Sequence, residues 1–379
     1  MPKRSERRIE RLIQPGVVAV CVVALLVFGL TGVSGNAQPL SDLPGASAAG
    51  NDTSAIDSPT AVDWPQVQNN PQRTGYTSEV LGTSFQVAWT RPFQPEKVYP
   101  QVQAIVYSGK VFVGTEMGNL YALDAATGAQ QWVYAAGAPI LASVAAGNGL
   151  IYFGAMDGAV YALNADTGVL VWRTDLMWRH GFSTAPVLAD NKVMLGGRNG
   201  VFYALNPANG AIVWQYEVGA PILQAAAWNN GRAYFGAMNM RVYAIDTANG
   251  TLVWQSAKLG GMAFKDYWPV VHQGYVLIRP MSFYEQTTNP TVGSNKSFYV
   301  LDEATGQEPF AVPHTNAQTM NGATTPPCVD RDGYLIVPVY NGWQAGWGRL
   351  SLSSRMIVDT LSDGTSAGFG NVDENVNVS

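Results

Sequence analysis

Few side chains in this sequence could do chemistry alone. Its histidines are His180, His272 and His314 and its cysteines Cys21 and Cys328, all far apart. No CxxC or Cys/His spacing of a zinc site links them. His180 also has no recognisable partner that would make it a general base. We assign no catalytic residue and no metal ligand. What remains is recognition chemistry on loops. LMWRHG brings together Met177, Trp178, Arg179 and His180, and KLGGMAFKDYW brings together Lys265, Asp266, Tyr267 and Trp268. Arg198 in GGRNG and Arg241 in MNMR add cations that could meet an anionic ligand. Tryptophan, tyrosine, methionine and arginine are the types enriched where proteins bind proteins. The plainer reading makes Arg198 and Arg241 solvated loop charges and Lys265–Asp266 a local ion pair, worth little if exposed.

These loops interrupt a repeat, and the repeat must position them. YALDAATGAQQW (121–132), YALNADTGVLVW (161–172), YALNPANGAIVW (203–214) and YAIDTANGTLVW (243–254) align without gaps, and YVLDEATGQEPF (299–310) is a looser fifth copy. Within a unit, Tyr121 and Leu123 alternate onto one face of a strand. Asp124 can accept from backbone N–H groups two or three residues on, and Gly128 supplies the left-handed position that closes a short hairpin. Asn164, Asn206, Asp246 and Asp302 repeat the Asp124 role, which makes them turn formers and not metal ligands. Gly168, Gly210, Gly250 and Gly306 repeat the turn glycine. Trp132, Trp172, Trp214 and Trp254 then stand on the returning strand, where a repeated contact between neighbouring sheets is expected. A unit of about 40 residues with four short strands is the length of one propeller blade.

Composition agrees. The chain has 379 residues, 47% hydrophobic and only 13% charged, with 40 glycines and 11 tryptophans. That excludes disorder over the whole length and favours aromatic strands joined by tight turns. The net charge of −5 includes a basic start, Lys3, Arg4, Arg7, Arg8 and Arg11. Without it the remainder is more acidic still, so no basic surface supports nucleic-acid binding.

Residues 1–37 read as a signal peptide or an N-terminal membrane anchor. The basic start precedes an apolar run from Val17 to Leu30, short for a membrane span, with Gly35 and Ala37 as small residues before a cleavage point. Residues 38–62 hold almost no large side chain and read as a flexible linker. The rest is expected outside the cytoplasm, secreted or anchored at the cell envelope.

The pattern Ala-x-Asp/Asn-x-x-Thr/Asn-Gly-x-x-x-Trp resembles the pyrroloquinoline-quinone-type (PQQ-like) β-propeller repeat family. DWPQVQNNPQRTGY (63–76) is similar to the lead-in segment of such propellers. The resemblance implies an all-β propeller of four-stranded blades over 63–379, with blades at about 98–135, 137–175, 182–217, 219–257, 264–312 and 323–362. In this family the first strand of a blade is innermost and the fourth, with its tryptophan, outermost. Trp89 in FQVAWTRPF then reads as a stray fourth strand, and 366–379 as the approach to another blade. Both suggest a truncated seven- or eight-bladed ring.

The family's enzymes are quinone- and calcium-dependent alcohol or sugar dehydrogenases, often with adjacent cysteines over the cofactor. This chain has no Cys-Cys pair and no matching calcium motif, so no family residue role carries over. Quinone and calcium belong to the alternative reading alone. Non-catalytic members include the propeller that assists outer-membrane protein assembly. The leading expectation is an exported, monomeric scaffold that binds a protein or an envelope polymer. Its ligand face would hold Trp178, Arg179, His180, Arg198, Arg241, Lys265, Asp266 and Trp268, overhung by the insertion 281–296 and by 341–348.

Overall fold

The computed structural model describes residues 63–78, 87–176, 181–265, 267–281, 298–310, 326–341 and 344–361, with backbone alone over 338–341, 344–347 and 356–361. The signal or anchor segment, the linker and the approach at 366–379 lie outside these residues.

Alternation of apolar residues and two-residue turns makes strands, and each strand pairs with its sequence neighbour. The first sheet joins Ile105–Tyr107, Lys110–Gly114, Asn119–Asp124 and Gln130–Ala135 in that order, all antiparallel. The same meander recurs over 145–175, 187–217, 227–255 and 328–361. No helix occurs among the described residues. First strands are wholly buried in the first three sheets, and those of successive sheets from the first to the fifth touch one another. Fourth strands expose most of their residues. Buried inner strands and exposed outer strands around a shared axis are the arrangement of a β-propeller.

Blade five departs from the expected four strands. Its sheet holds Val270–His272, Tyr275–Ile278 and Tyr299–Asp302 only. The returning segment carries Pro309 where the other blades place a strand residue, and proline has no N–H to give to a ladder. Phe310 nevertheless reaches the tryptophan position and is buried at 5% exposure. Residues 87–90 likewise form no strand among the described residues, so Trp89 keeps the tryptophan's place without a sheet around it.

The junction between blades is built from one repeated contact. Each tryptophan lies on the turn glycine of the next blade and donates its indole N–H to a carbonyl beside it. The donors and acceptors are Trp89 to Ala125, Trp132 to Ala165, Trp172 to Pro207, Trp214 to Thr247 and Trp254 to Glu303, at 2.8–3.1 Å. A Cβ placed on Gly128 would lie 2.5 Å from the Trp89 ring, and Gly168, Gly210, Gly250 and Gly306 are covered in the same way. Gly128 also has φ +72°, so both backbone conformation and close approach demand glycine there.

Candidate functional site

The meander separates two ends of the propeller. Turns between strands one and two and between three and four lie at one end, the turn face. Strand-two-to-three turns and blade-to-blade connections lie at the other, the loop face. Loop-face residues are freer to vary, because the Asp/Asn–Gly turns and the tryptophan junctions occupy the turn face.

On the loop face the third-strand tyrosines of blades one to four need partners for their hydroxyls, and three different solutions occur. In blade one Glu96, from the segment before the blade, accepts from Tyr121 (2.5 Å), Thr115 (2.6 Å) and Asn119 (2.9 Å). Burial pushes the Glu96 carboxyl up, and those three hydrogen bonds outweigh it and leave it lowered. In blade two Tyr161 donates to Asp157, which also pairs with Arg173 at 3.1 Å. Burial, then the Asp157 bond, pushes Tyr161 up to about 12, while its hydroxyl and Asp157 hold the Arg173 guanidinium above its ordinary value. In blades three and four Asn199 and Asn239 donate to Tyr203 and Tyr243. The carboxylates of Glu96 and Asp157 are thereby committed to structure.

The tips of the same loops carry different side chains. Met117 and Met262 are 61% and 41% exposed. Arg198 is exposed, and Met156 and Met238 are half-buried at the matching turns of their blades. Methionine is flexible and polarisable, suited to surfaces that adapt to a partner.

The residues singled out from sequence do not all share this exposure. Arg198 stands on the loop face with its side chain in solvent. Arg241 is half-buried and donates from Nη1 to the Ser256 carbonyl at 2.7 Å, a bond within its own blade. Lys265 is half-buried and its main chain forms a parallel bridge with Leu223. Trp268 is only 6% exposed and packs in a core cluster with Val67, Ala185 and Ala225. Its indole N–H has no partner among the described residues. Met177, Trp178, Arg179, His180, Asp266 and the overhanging insertion 282–296 lie outside those residues.

Two buried arginines escaped sequence reasoning. Arg73, from the lead-in segment, is fully buried and donates to the carbonyls of Ala226 (3.0 Å), Val67 (2.8 Å) and Pro186 (2.9 Å). Burial lowers its guanidinium to about 9, so it stays charged at neutral pH. Arg279 is 3% exposed, lies 5.9 Å from the Phe298 ring centroid and is lowered by burial to about 10. A proline on either side of the run, in PQVQNNPQR, was the available hint that 65–73 is a fixed segment.

Bound calcium asks for six or more oxygen ligands, mostly carboxylates. Among the described residues no three His, Cys, Asp or Glu side chains come together, and the propeller axis is filled by Val67 and Arg73. These residues do not fit a quinone–calcium pair. A cleft of about 650 Å³ lies instead beside blade five, where the fourth strand is missing, bounded by Lys258, Leu259, Tyr299, Leu301 and Glu308.

Comparison with known proteins agrees with this architecture. Residues 86–221 match a family model described as outer membrane protein assembly factor BamB. The chain is similar to the crystal structure of BamB from Moraxella catarrhalis, at 19% identity and TM-score 0.52, over 71% of this chain and 73% of that one. It is similar to a europium-containing methanol dehydrogenase at 14% identity and TM-score 0.57, over 79% and 78%. A third likeness is to quinohemoprotein alcohol dehydrogenase from Comamonas testosteroni, at 15% identity and TM-score 0.51, over 73% and 57%. No curated protein matches the chain in sequence. Identities this low establish the fold alone, and the fold is a β-propeller.

Proposed function

We propose that this PQQ-type β-propeller is an exported, non-catalytic scaffold that binds a protein or an envelope polymer through its loop face. One observation carries the reading. On that face Glu96 and Asp157 are tied up in tyrosine hydroxyl bonds, while Met117, Met262 and Arg198 stand exposed at loop tips. Such a surface suits recognition of a partner. The match of 86–221 to the BamB model supports a protein partner and a place in the cell envelope. The basic and apolar N-terminal sequence supports export.

The test is a variant with Met117→Glu, Arg198→Glu and Met262→Glu, which changes exposed tips without touching the junctions. Its melting temperature should stay unchanged while capture of the envelope partner falls at least about ten-fold. Undiminished capture by the folded variant would remove this face as the binding surface.

A second reading, a quinone-dependent dehydrogenase or a remnant of one, draws on the likeness to two alcohol dehydrogenases. Adding the quinone and calcium to the full chain and following dye-linked oxidation of alcohols or sugars decides it. Turnover above background would overturn the scaffold.

A further inference from the structure

The inner strand of every blade pairs outward with its own second strand and leaves an inner edge facing the axis. Such an edge presents main-chain N–H groups in want of acceptors. At one equivalent position in all six described blades that N–H is satisfied by the same short segment. Val106 donates to the Trp64 carbonyl (3.0 Å), Ala146 to Pro65 (2.7 Å) and Leu188 to the Gln66 side-chain oxygen (3.1 Å). Trp228 donates to Pro71 (2.8 Å), Val271 to Gln72 (2.9 Å) and Val329 to Thr74 (2.7 Å). The order along the segment is the order of the blades around the axis.

Side chains of the segment complete the fit. Gln66, Val67 and Arg73 are 5%, 1% and 0% exposed. Arg73 donates to Pro186 and Ala226, equivalent carbonyls of blades three and four, each two residues before the N–H just named. Its third bond, to Val67, clips the segment to itself. Pro65 and Pro71 offer carbonyls while having no N–H that would need a partner inside the channel.

We infer that the central channel is a binding site for a short, turn-forming peptide, and that Asp63–Tyr76, with left-handed residues at Gln68, Asn69 and Arg73, is the peptide it holds in cis. The segment belongs to none of the six sheets. Everything by which the channel holds it is non-covalent: one main-chain N–H per blade, two carbonyls for an arginine, and a pocket for an apolar side chain. A peptide supplied in trans would meet the same groups. The ligand class is a short segment that curls through tight turns and carries prolines among its acceptors, one valine-sized side chain and one arginine. This site is separate from the loop face and stands whether or not that face binds a partner.

The experiment keeps the full chain. A specific protease sequence is inserted within 79–86, the protein is folded and cut, and a fluorescent peptide of residues 61–78 is added. The cut protein should keep its segment through gel filtration and its circular dichroism. The labelled peptide should then exchange in saturably, and a peptide carrying Arg73→Ala should bind at least about ten-fold more weakly. Uncut protein should take up neither. Three results would overturn the inference: unfolding on cleavage, no exchange with peptide in large excess, or equal uptake of the wild-type and Arg73→Ala peptides.

Discussion

The guanidinium of Arg355 lies over the ring of Phe310, 4.9 Å from its centroid, at the place where five other junctions set a tryptophan on a glycine. Arg355 holds the turn position in the left-handed region, φ +58°. The two departures explain each other: a smaller ring leaves room for a side chain, and the side chain covers the ring.

This pairing predicts a compensated exchange. Phe310→Trp alone should overpack the junction and destabilise by about 1–3 kcal/mol. Arg355→Gly alone should change little, since lost stacking is offset by relief of the left-handed backbone. The double variant should recover most of the loss, and a double-mutant cycle in denaturant reads the coupling. Additive effects would mean that the two residues are independent.

The regular junctions should be less forgiving. Trp214→Ala removes a ring that is 8% exposed and its 2.9 Å bond to the Thr247 carbonyl, at a cost of roughly 3–5 kcal/mol. Gly250→Ala adds a Cβ 2.8 Å from that ring at φ +77°. Gly231→Ala meets nothing within 4 Å at φ +74°, and should cost only the left-handed backbone, on the order of 1 kcal/mol. Denaturation midpoints should therefore rank Gly231→Ala well above Gly250→Ala.

Arg73 should be the most sensitive polar residue on the axis. Arg73→Met in the full chain leaves the Val67, Pro186 and Ala226 carbonyls without their donor. Each orphaned group costs roughly 1–3 kcal/mol, partly offset by no longer burying a cation. A net loss of about 2–4 kcal/mol is expected, and Arg73→Lys should not restore it, because an ammonium cannot present the planar fork. A variant as stable as the parent would show that the axis tolerates a neutral filler.

Alkaline pH should unfold the protein cooperatively. Burial, more than any hydrogen bond, holds Tyr161 at about 12 and raises Tyr203 and Tyr234. Below the unfolded tyrosine value of about 10 both states keep the proton and stability is unaffected. Above it the unfolded chain loses protons first, so stability falls as pH rises toward 12. Arg73 and Arg279, lowered to about 9 and about 10, pull the other way over that range, but they are two groups against six raised tyrosines. Tyrosinate absorbance should therefore rise together with loss of circular dichroism. Tyrosinate appearing at its ordinary pH in a still-folded protein would contradict the burial argument.

How much of this was legible in the sequence depended on the distance between partners. The Asp124–Gly128 turn and its repeats lie within five residues, and Trp132 follows four later, so one hairpin could be read directly and then counted. Pro309 stands in the sequence, but its consequence, a blade of three strands, is hidden there because the flanking residues keep the repeat pattern. Arg73 could not be assigned, since its acceptors lie 113 and 153 residues away. Trp268 looked like a loop tryptophan because nothing local told it apart from Trp178. Its burial comes from Val67 and from the inner positions of two other blades. From sequence Arg241 reads as a solvated loop charge or an anion-binding cation, and only the fold places the Ser256 carbonyl beside it.

The central claim is that the loop face binds and the turn face does not. Photo-crosslinking in the cell envelope tests it most directly, with a photoreactive residue placed singly at Met117, Arg198 or Met262 and, as the opposing set, at Ala126, Ala208 or Ala248 on the turns. We predict a common adduct from the loop-face positions and none from the turn-face positions. The same adduct from the turns, with none from the loops, would contradict the account.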